Sequence, residues 1–466
     1  MLKKMVVTLF FWLFFVSISR AELNLELPDL NLPEMGATTA TLSQDRELGL
    51  KILRDFRRRL PVVEDPELNS WIRSIGNRLS SKAPRHGKLY FLIVKNPDVN
   101  AFATAGGVIV INTGLILNAD SESELAAVVA HEIAHITQNH LSRMVAKSKG
   151  DVLGTSVAIL AGLAAGSVSA DAGSAIITTA IAAQQHKQLS FSRGMEAEAD
   201  RVGIRILSSA GFKPSGMPEF MTKLDQLTSN PYAQLTKYLQ SHPLSIERVS
   251  DTRSRAQRLG NRGRNNISFI YAREKIRALM SQGHRTQAPT LPSSALKNYS
   301  QAMKLIARGQ HHPALTLLGT KSNHTPEAIA IATSLNATRQ YQKTIDLLTP
   351  LVRARIGEQS LLVPLLNALI ATGRIDEAWE KVKYVIPTEQ TSLSFFEVKQ
   401  EVAKRKGYIA DAYLAAADRN IRIGERKHAI AQLRQATKQP RMSGQDLARL
   451  QSKLNILKEQ QTGRRK

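Results

Sequence analysis

The chain has 466 residues, 43% of them hydrophobic and 22% charged, enough for two or three domains around buried cores and too apolar to stay disordered. A formal charge of +24 suits nucleic acid, anionic membrane surfaces or acidic proteins alike, but only 5% of the residues are aromatic and no arginine-rich or aromatic-interleaved platform occurs, so nucleic acid is not expected as a partner. There is no cysteine, which excludes a disulfide framework and a lipid-anchored leader.

The first residues, MLKKMVVTLFFWLFFVSISRAELN, place Lys3 and Lys4 before an apolar run from Met5 to about Ile18, and small residues at Ser19 and Ala21. This is the pattern of a cleavable secretory signal peptide over 1–21, and the run is shorter than the roughly 20 residues a spanning helix needs. Export to an oxidising compartment and a mature chain of net charge +21 are the expectations. Residues 22–43 carry prolines and no sustained period, as an extended lead-in would.

Helical patterns follow at Gln44–Leu60 and Pro66–Lys82, then two β-rich runs, Leu89–Val94 and Val108–Asn112, the second introduced by Gly106-Gly107. Ser121 and Glu124 form a capping box for a helix whose apolar face is Leu125, Val128, Val129, Ile133 and Ile136. The uncharged stretch Val152–Ala170 is rich in small residues, weakly hydrophobic and interrupted by Asp171, so it reads as a packed helix and not as a membrane span. No stable transmembrane segment is expected in the mature chain.

The capped helix carries His131-Glu132-x-x-His135. Positions four apart lie about 40° apart on a helix, so both imidazoles can address one ion, and Glu132 can reach a water on that ion. Zinc lowers the pKa of such a water toward about 7, and a carboxylate that takes its proton completes the nucleophile. The site then needs a third protein ligand and an open position. Gln138 and Leu141 exclude the extended motif with a third histidine on the same helix. His140, five residues past His135, falls roughly 140° off the ligand face and reads as a structural or surface histidine. Downstream, FSRGMEAEADRVGIRIL sets Glu196 and Asp200 four apart on a second helix, the arrangement in which one carboxylate ligates zinc and the next fixes a ligand histidine; Glu198 points elsewhere.

His242 precedes Pro243 and so sits on a turn. Three roles compete for it: a donor to the transition-state oxyanion, worth roughly 2.7–4 kcal/mol; a fourth zinc ligand that holds the resting enzyme shut; or a structural histidine. Arg248 is expected to pair with Glu247 or to line the cleft.

Beyond a boundary at LGNRGRNN and a connecting segment, 264–296, the pattern Gly-x4-Ala recurs at Gly309/Ala314, Gly373/Ala378, Gly407/Ala412 and Gly424/Ala429, with a degenerate copy at Arg339/Thr344. The steps of 30, 34, 34 and 17 residues indicate a period near 34 in a helical context, the signature of tetratricopeptide repeats stacked as a solenoid over 297–466.

The stretches NAFATAGGVIVINTGLI, ELAAVVAHEIAHITQNH, EAEADRVGI and SHPLSIERV, in this order, resemble zinc metallopeptidases of the HtpX and CAAX-prenyl type, a resemblance that with the leader and repeats takes in essentially the whole chain. It implies an α+β gluzincin-like metallopeptidase domain over 22–263 followed by the all-α solenoid. It further implies one Zn2+ per chain on His131, His135 and Glu196, Glu132 as general base, and the strand Gly107, Val108, Ile109, Val110, Ile111 and Asn112 as an edge beside the cleft. An extended substrate could add to such an edge by β-augmentation. The expected clients are unfolded or misassembled outer-membrane proteins, and the expected partner, through the repeats, is the outer-membrane β-barrel assembly machinery. The rival reading is a chaperone or adaptor working mainly through the solenoid, with a structural or silenced zinc site. Residues 292–466 hold 28 Lys and Arg against 14 Asp and Glu, which favours the rival; the presence of Glu132 opposes it.

Overall fold

The computed structural model describes residues 39–84, 87–147, 192–228, 236–260, 262–280, 291–322, 324–440 and 442–462. The predicted leader, residues 22–38 of the lead-in and the stretch Val152–Ala170 lie outside the described residues. No described helix is long and apolar enough to cross a membrane.

Helices α1 (Thr39–Arg59) and α2 (Pro66–Ser80) precede strands β1 (Tyr90–Val94), β2 (Ala101–Ala103) and β3 (Val108–Asn112). The strands form one sheet of order β1-β3-β2, with β1 parallel and β2 antiparallel to β3. Side chains alternate across a strand. Phe91, Ile93, Ile109 and Ile111 therefore enter the main core with α2, while Tyr90, Leu92, Val108 and Val110 meet Leu48, Ile52 and Phe56 of α1 in a second core. Both faces of the sheet are covered, which explains the unbroken apolar runs of β1 and β3. β2 escapes a sequence reading because three residues, Ala-Phe-Ala, carry no period.

After α3 (Thr113–Asn118), helix α4 (Glu122–Thr137) runs through the middle of the segment, buried from Glu122 to His135. Ser121 Oγ accepts from Glu124 N at 3.2 Å, and the Glu124 carboxylate accepts from Asp120 N at 2.9 Å, one residue earlier than in the usual capping box. A short α5 (His140–Lys147) follows; then come α6 (Arg193–Ser209), α7 (Gly216–Thr228), α8 (Thr236–Ser241) and α9 (Ile246–Leu259). Gly203 brings α6 against α4: a Cβ there would lie 3.2 Å from His131 N. That close approach sets the carboxylates of α6 opposite the histidines of α4.

The segment expected to connect the two halves contains a packed helix, α10 (Ser268–Met280). Its Phe269 and Ile276 belong to the main core, and its Tyr271 and Ala278 to the first core of the following helices, so it packs into both.

The rest is helical: α11 (Ser294–Ala307), α12 (His311–Leu318), α13 (Thr325–Ala337), α14 (Tyr341–Ala354), α15 (Gln359–Ala371), α16 (Ile375–Val382), α17 (Leu393–Arg405), α18 (Ile409–Arg422), α19 (Arg426–Ala436) and α20 (Gly444–Thr462). The sequence repeat marks turns. Gly309, Gly373, Gly407 and Gly424 all have φ between 73° and 82°, and Arg339 takes the same left-handed conformation at φ 60°. At each, the next N–H bonds back to a carbonyl five residues earlier, as Gln310 to Leu305 and Gln340 to Leu335, both at 2.8 Å. This closes the helix. The Ala or Thr five residues after the turn residue is buried in the next helix.

Candidate active site

Helices α4 and α6 and the turn after α8 bring His131, His135, Glu196 and His242 together, one ligand atom from each lying within 4.8 Å of the others. His135 Nε2 is 3.0 Å from His131 Nε2 and 3.3 Å from Glu196 Oε1. His242 turns Nδ1 inward, 3.1 Å from Glu196 Oε1 and 3.4 Å from His131 Nε2, and its Nε2 lies 3.5 Å from Glu132 Oε1. Its ring stacks on Tyr238, centroids 4.7 Å apart. All four residues are buried. Three imidazole nitrogens and a carboxylate converging at this spacing, out of water, form a donor set suited to zinc. The other nitrogens are already engaged, as a metal site requires.

On one side, His131 Nδ1 lies 3.0 Å from Asp200 Oδ1, and Asp200 is gripped by Arg248 through Nε and Nη2 at 2.7 and 2.8 Å. Arg248 Nη1 also reaches Glu196 Oε2 at 2.7 Å and the Pro243 carbonyl at 2.6 Å. Of the two alternatives for Arg248, pairing with Glu247 is not what is seen: Glu247 is on the solvent side of α9, and the guanidinium turns inward to two buried carboxylates and to the turn that carries His242, lining the recess beside it.

On the other side, His135 Nδ1 is 3.0 Å from His140 Nδ1, and His140 Nε2 is 3.2 Å from Glu198, which Arg143 also holds at 2.9 Å. With His135 bound through Nε2, its Nδ1–H donates to His140, whose Nε2–H donates to Glu198. His140 is fully buried, so the surface reading is excluded. The helical-wheel argument fails because α4 ends at Thr137 and Asn139, at φ 52°, redirects the chain. Glu198, which points away from the ligand pair, finds its partners on α5.

Burial by itself would lower the pKa of His131, but the Asp200 and Glu196 carboxylates outweigh it and raise it to about 10. Burial opposes ionisation of Glu196 and Asp200, yet the surrounding histidines and Arg248 hold both below the ordinary carboxylate range, Glu196 well below it. Glu132 is pushed up, chiefly by burial. His135 is lowered by burial, which keeps it neutral and able to bind metal.

The strand 107–112 is not an edge. β3 is hydrogen-bonded to β1 on one side and β2 on the other, which leaves no free side for an added chain. The open edge nearest Glu132 is β2. Asn112 N bonds Asn100 O at 3.0 Å and Thr104 N bonds Val108 O at 2.9 Å, so in this antiparallel pair the backbone groups of Ala101 and Ala103 point away from β3. The Ala103 N–H contacts the Glu132 carboxylate. Beside the cluster, a narrow recess with room for little more than a water is lined by Val128, Phe220, Leu239 and Leu244 together with His131 and His242.

Residues 66–256 match Peptidase family M48. This segment is thus similar to a family M48 peptidase domain. Every candidate ligand, Glu132 and Arg248 fall inside it. Curated relatives include the beta-barrel assembly-enhancing protease of Yersinia pestis, 34% identical over 302 residues, which are 62% of each chain. The protein of that name in Escherichia coli K12 is 37% identical over 239 residues, 49% of this chain and 47% of that one. The metalloprotease LoiP of the same strain is 29% identical over 188 residues, 40% of this chain and 69% of its own. The chain spans about half to 62% of the length of the two assembly-enhancing proteases, a narrower match than the motifs and repeats suggest.

Proposed function

We propose that the chain is an exported zinc endopeptidase of the periplasm that cleaves unfolded or misassembled outer-membrane β-barrel proteins and assists their assembly. The observation that carries the chemistry is the buried convergence of His131, His135, Glu196 and His242 beside a Glu132 whose carboxyl is raised by burial. The match to family M48 and the names of the relatives support the class and the client. The helix pairs from α11 onward, with their recurrent left-handed turns, support the reading as a tetratricopeptide solenoid that selects clients or docks on the barrel assembly machinery.

His131, His135 and Glu196 would hold one zinc ion, which when bound polarises the scissile carbonyl and activates water. Glu132 takes and returns the proton. Asp200 and Arg248 hold His131 and Glu196 in place, and the His140–Glu198 chain holds His135. An extended client pairs with the outward N–H and carbonyl of Ala101 and the carbonyl of Ala103 on β2, the Ala103 N–H being held by Glu132. His242, with Nδ1 turned into the cluster, is a fourth protein ligand in the resting arrangement, and it must withdraw before water can occupy that position.

A second reading has one supporting feature: the two-to-one basic excess of residues 292–466 suits a chaperone or adaptor for acidic partners. One experiment separates the two, casein cleavage by the zinc-loaded chain beside Glu132→Gln. A fall of about 10²–10⁴-fold with zinc content unchanged supports the peptidase. Unchanged cleavage would refute it, and rescue of client assembly by Glu132→Gln would favour the adaptor. His242→Ala, assayed alongside, is expected to cleave faster than the wild type.

A further inference from the structure

The helical array does not merely follow the peptidase segment; it returns to it. Ser70 Oγ of α2 is 3.3 Å from Glu358 Oε2 at the head of α15, and Glu389, between α16 and α17, takes Arg46 at 3.0 Å and Lys88 at 3.2 Å. At Gly424, just past α18, the array lies against the Arg54 carbonyl. Between these contacts lies a tight pocket with room for about one water-sized group.

Three guanidiniums line it: Arg57 from α1, Arg73 from α2 and Arg422 from the end of α18. Gathering three like charges out of water is unfavourable unless something negative faces them. The carboxylates nearby are only partly available. Glu64 takes Arg57 through Nε at 3.1 Å and leaves Oε2 buried without a partner, Glu358 acts on Arg73 only through its charge, and Glu389, although it lines the pocket, is shared with Arg46 and Lys88. Arg422 donates Nε to the Thr391 carbonyl at 2.9 Å, and neither Arg422 nor Arg73 has a carboxylate within 4.0 Å among the described ion pairs. Arg57 Nη1 is buried with no hydrogen-bond partner, on a side chain only 6% exposed. Burial first, and then the neighbouring Arg57 and Arg73, pull the pKa of Arg422 down to about 9 against the opposing charges of Glu64 and Glu389.

We propose that this pocket binds a water-sized monovalent anion, chloride being the commonest, and that the bound anion ties the helical array to α1 and α2 of the peptidase segment. A fork of guanidinium donors from three helices supplies the recognition, and the narrow space excludes larger oxyanions. None of the residues involved belongs to the metal cluster, so the inference stands apart from the proposed peptidase activity.

The test is thermal unfolding of the full zinc-loaded chain at constant ionic strength, with sodium gluconate replaced stepwise by sodium chloride or by sulfate. Expected is a saturable rise in melting temperature of roughly 2–4 °C with chloride and none with sulfate. Arg422→Met should abolish the response, and in crystals soaked in bromide an anomalous peak should appear within hydrogen-bond reach of Arg57 Nη1. Equal melting curves in gluconate and chloride, or saturation by sulfate before chloride, would overturn the proposal. So would a bromide-free pocket, a criterion that remains usable should Arg422→Met fail to fold.

Discussion

Around α4 the ionisable groups are at the centre of the fold, and most are answered: His131 by Asp200, Asp200 and Glu196 by Arg248, His135 by His140. In the helical array the buried seams are aliphatic, with Leu361, Leu365, Leu366 and Leu369 fully enclosed, and the ion pairs, such as Arg405–Glu401 and Lys383–Glu380, face solvent. One region spends its polar groups on a site, the other on solubility. Removing a charge from the first strands its partner in a low dielectric, whereas removing one from the second leaves a partner that water can serve.

The contrast can be broken or sharpened in four ways. Arg248→Met strands Asp200 and Glu196 and is expected to lower zinc affinity by about 10–100-fold, read by competition with a chelator. An affinity within a factor of two of the wild type would mean that the clamp is decorative. At the seam between the regions, Lys275 of α10 meets Asp65 at 2.8 Å and Glu67 at 2.6 Å, and its pKa is pushed up, burial notwithstanding, by these carboxylates. Lys275→Ala should cost about 3 kcal/mol in denaturant unfolding. A cost below half that figure would place the pair with the solvent-exposed ones.

In the array the expected effects are small. Arg339 holds a left-handed conformation that glycine holds at the equivalent turns, so Arg339→Gly should stabilise by up to about 1 kcal/mol. Destabilisation would reveal a contact that offsets the strain. Burial would raise the pKa of Glu389, but its backbone N–H, Arg46 and Lys88 outweigh this and bring it down to about 2. A depressed carboxyl stabilises the fold above its unfolded value of about 4.3 and loses that contribution as the pH falls toward 2. Glu389→Gln should therefore flatten the acid limb of the stability curve between pH 4 and 2, by less than about 1 kcal/mol at this half-exposed site; an unaltered limb would show that the pair contributes nothing.

How much of this was legible in the sequence follows the same division. Periodicity exposes α4 with its cap, the i, i+4 spacing of Glu196 and Asp200, and the recurrent turns of the array, because each depends on neighbours in the chain. Arg248 on Asp200, and His140 on His135 and Glu198, depend on which helices meet, and no local pattern carries that. The misplaced edge strand has the same origin: β3 looks like the principal strand and is one, but whether a strand lies at an edge is decided by β2, three residues with no signal of their own. Asn139 shows a subtler failure, since one left-handed residue moved His140 from the predicted back of a helix into the support of a ligand.

The most direct test of the central claim, that His131, His135, Glu196 and His242 form one zinc centre, is X-ray absorption at the zinc edge of the purified chain with its metal content measured. The account predicts one zinc per chain in a shell of three nitrogens and one or two oxygens, losing one nitrogen in His242→Ala while the metal stays bound. A shell that His242→Ala leaves unchanged would remove His242 from the centre. Zinc that persists in His131→Ala/His135→Ala would contradict the centre altogether.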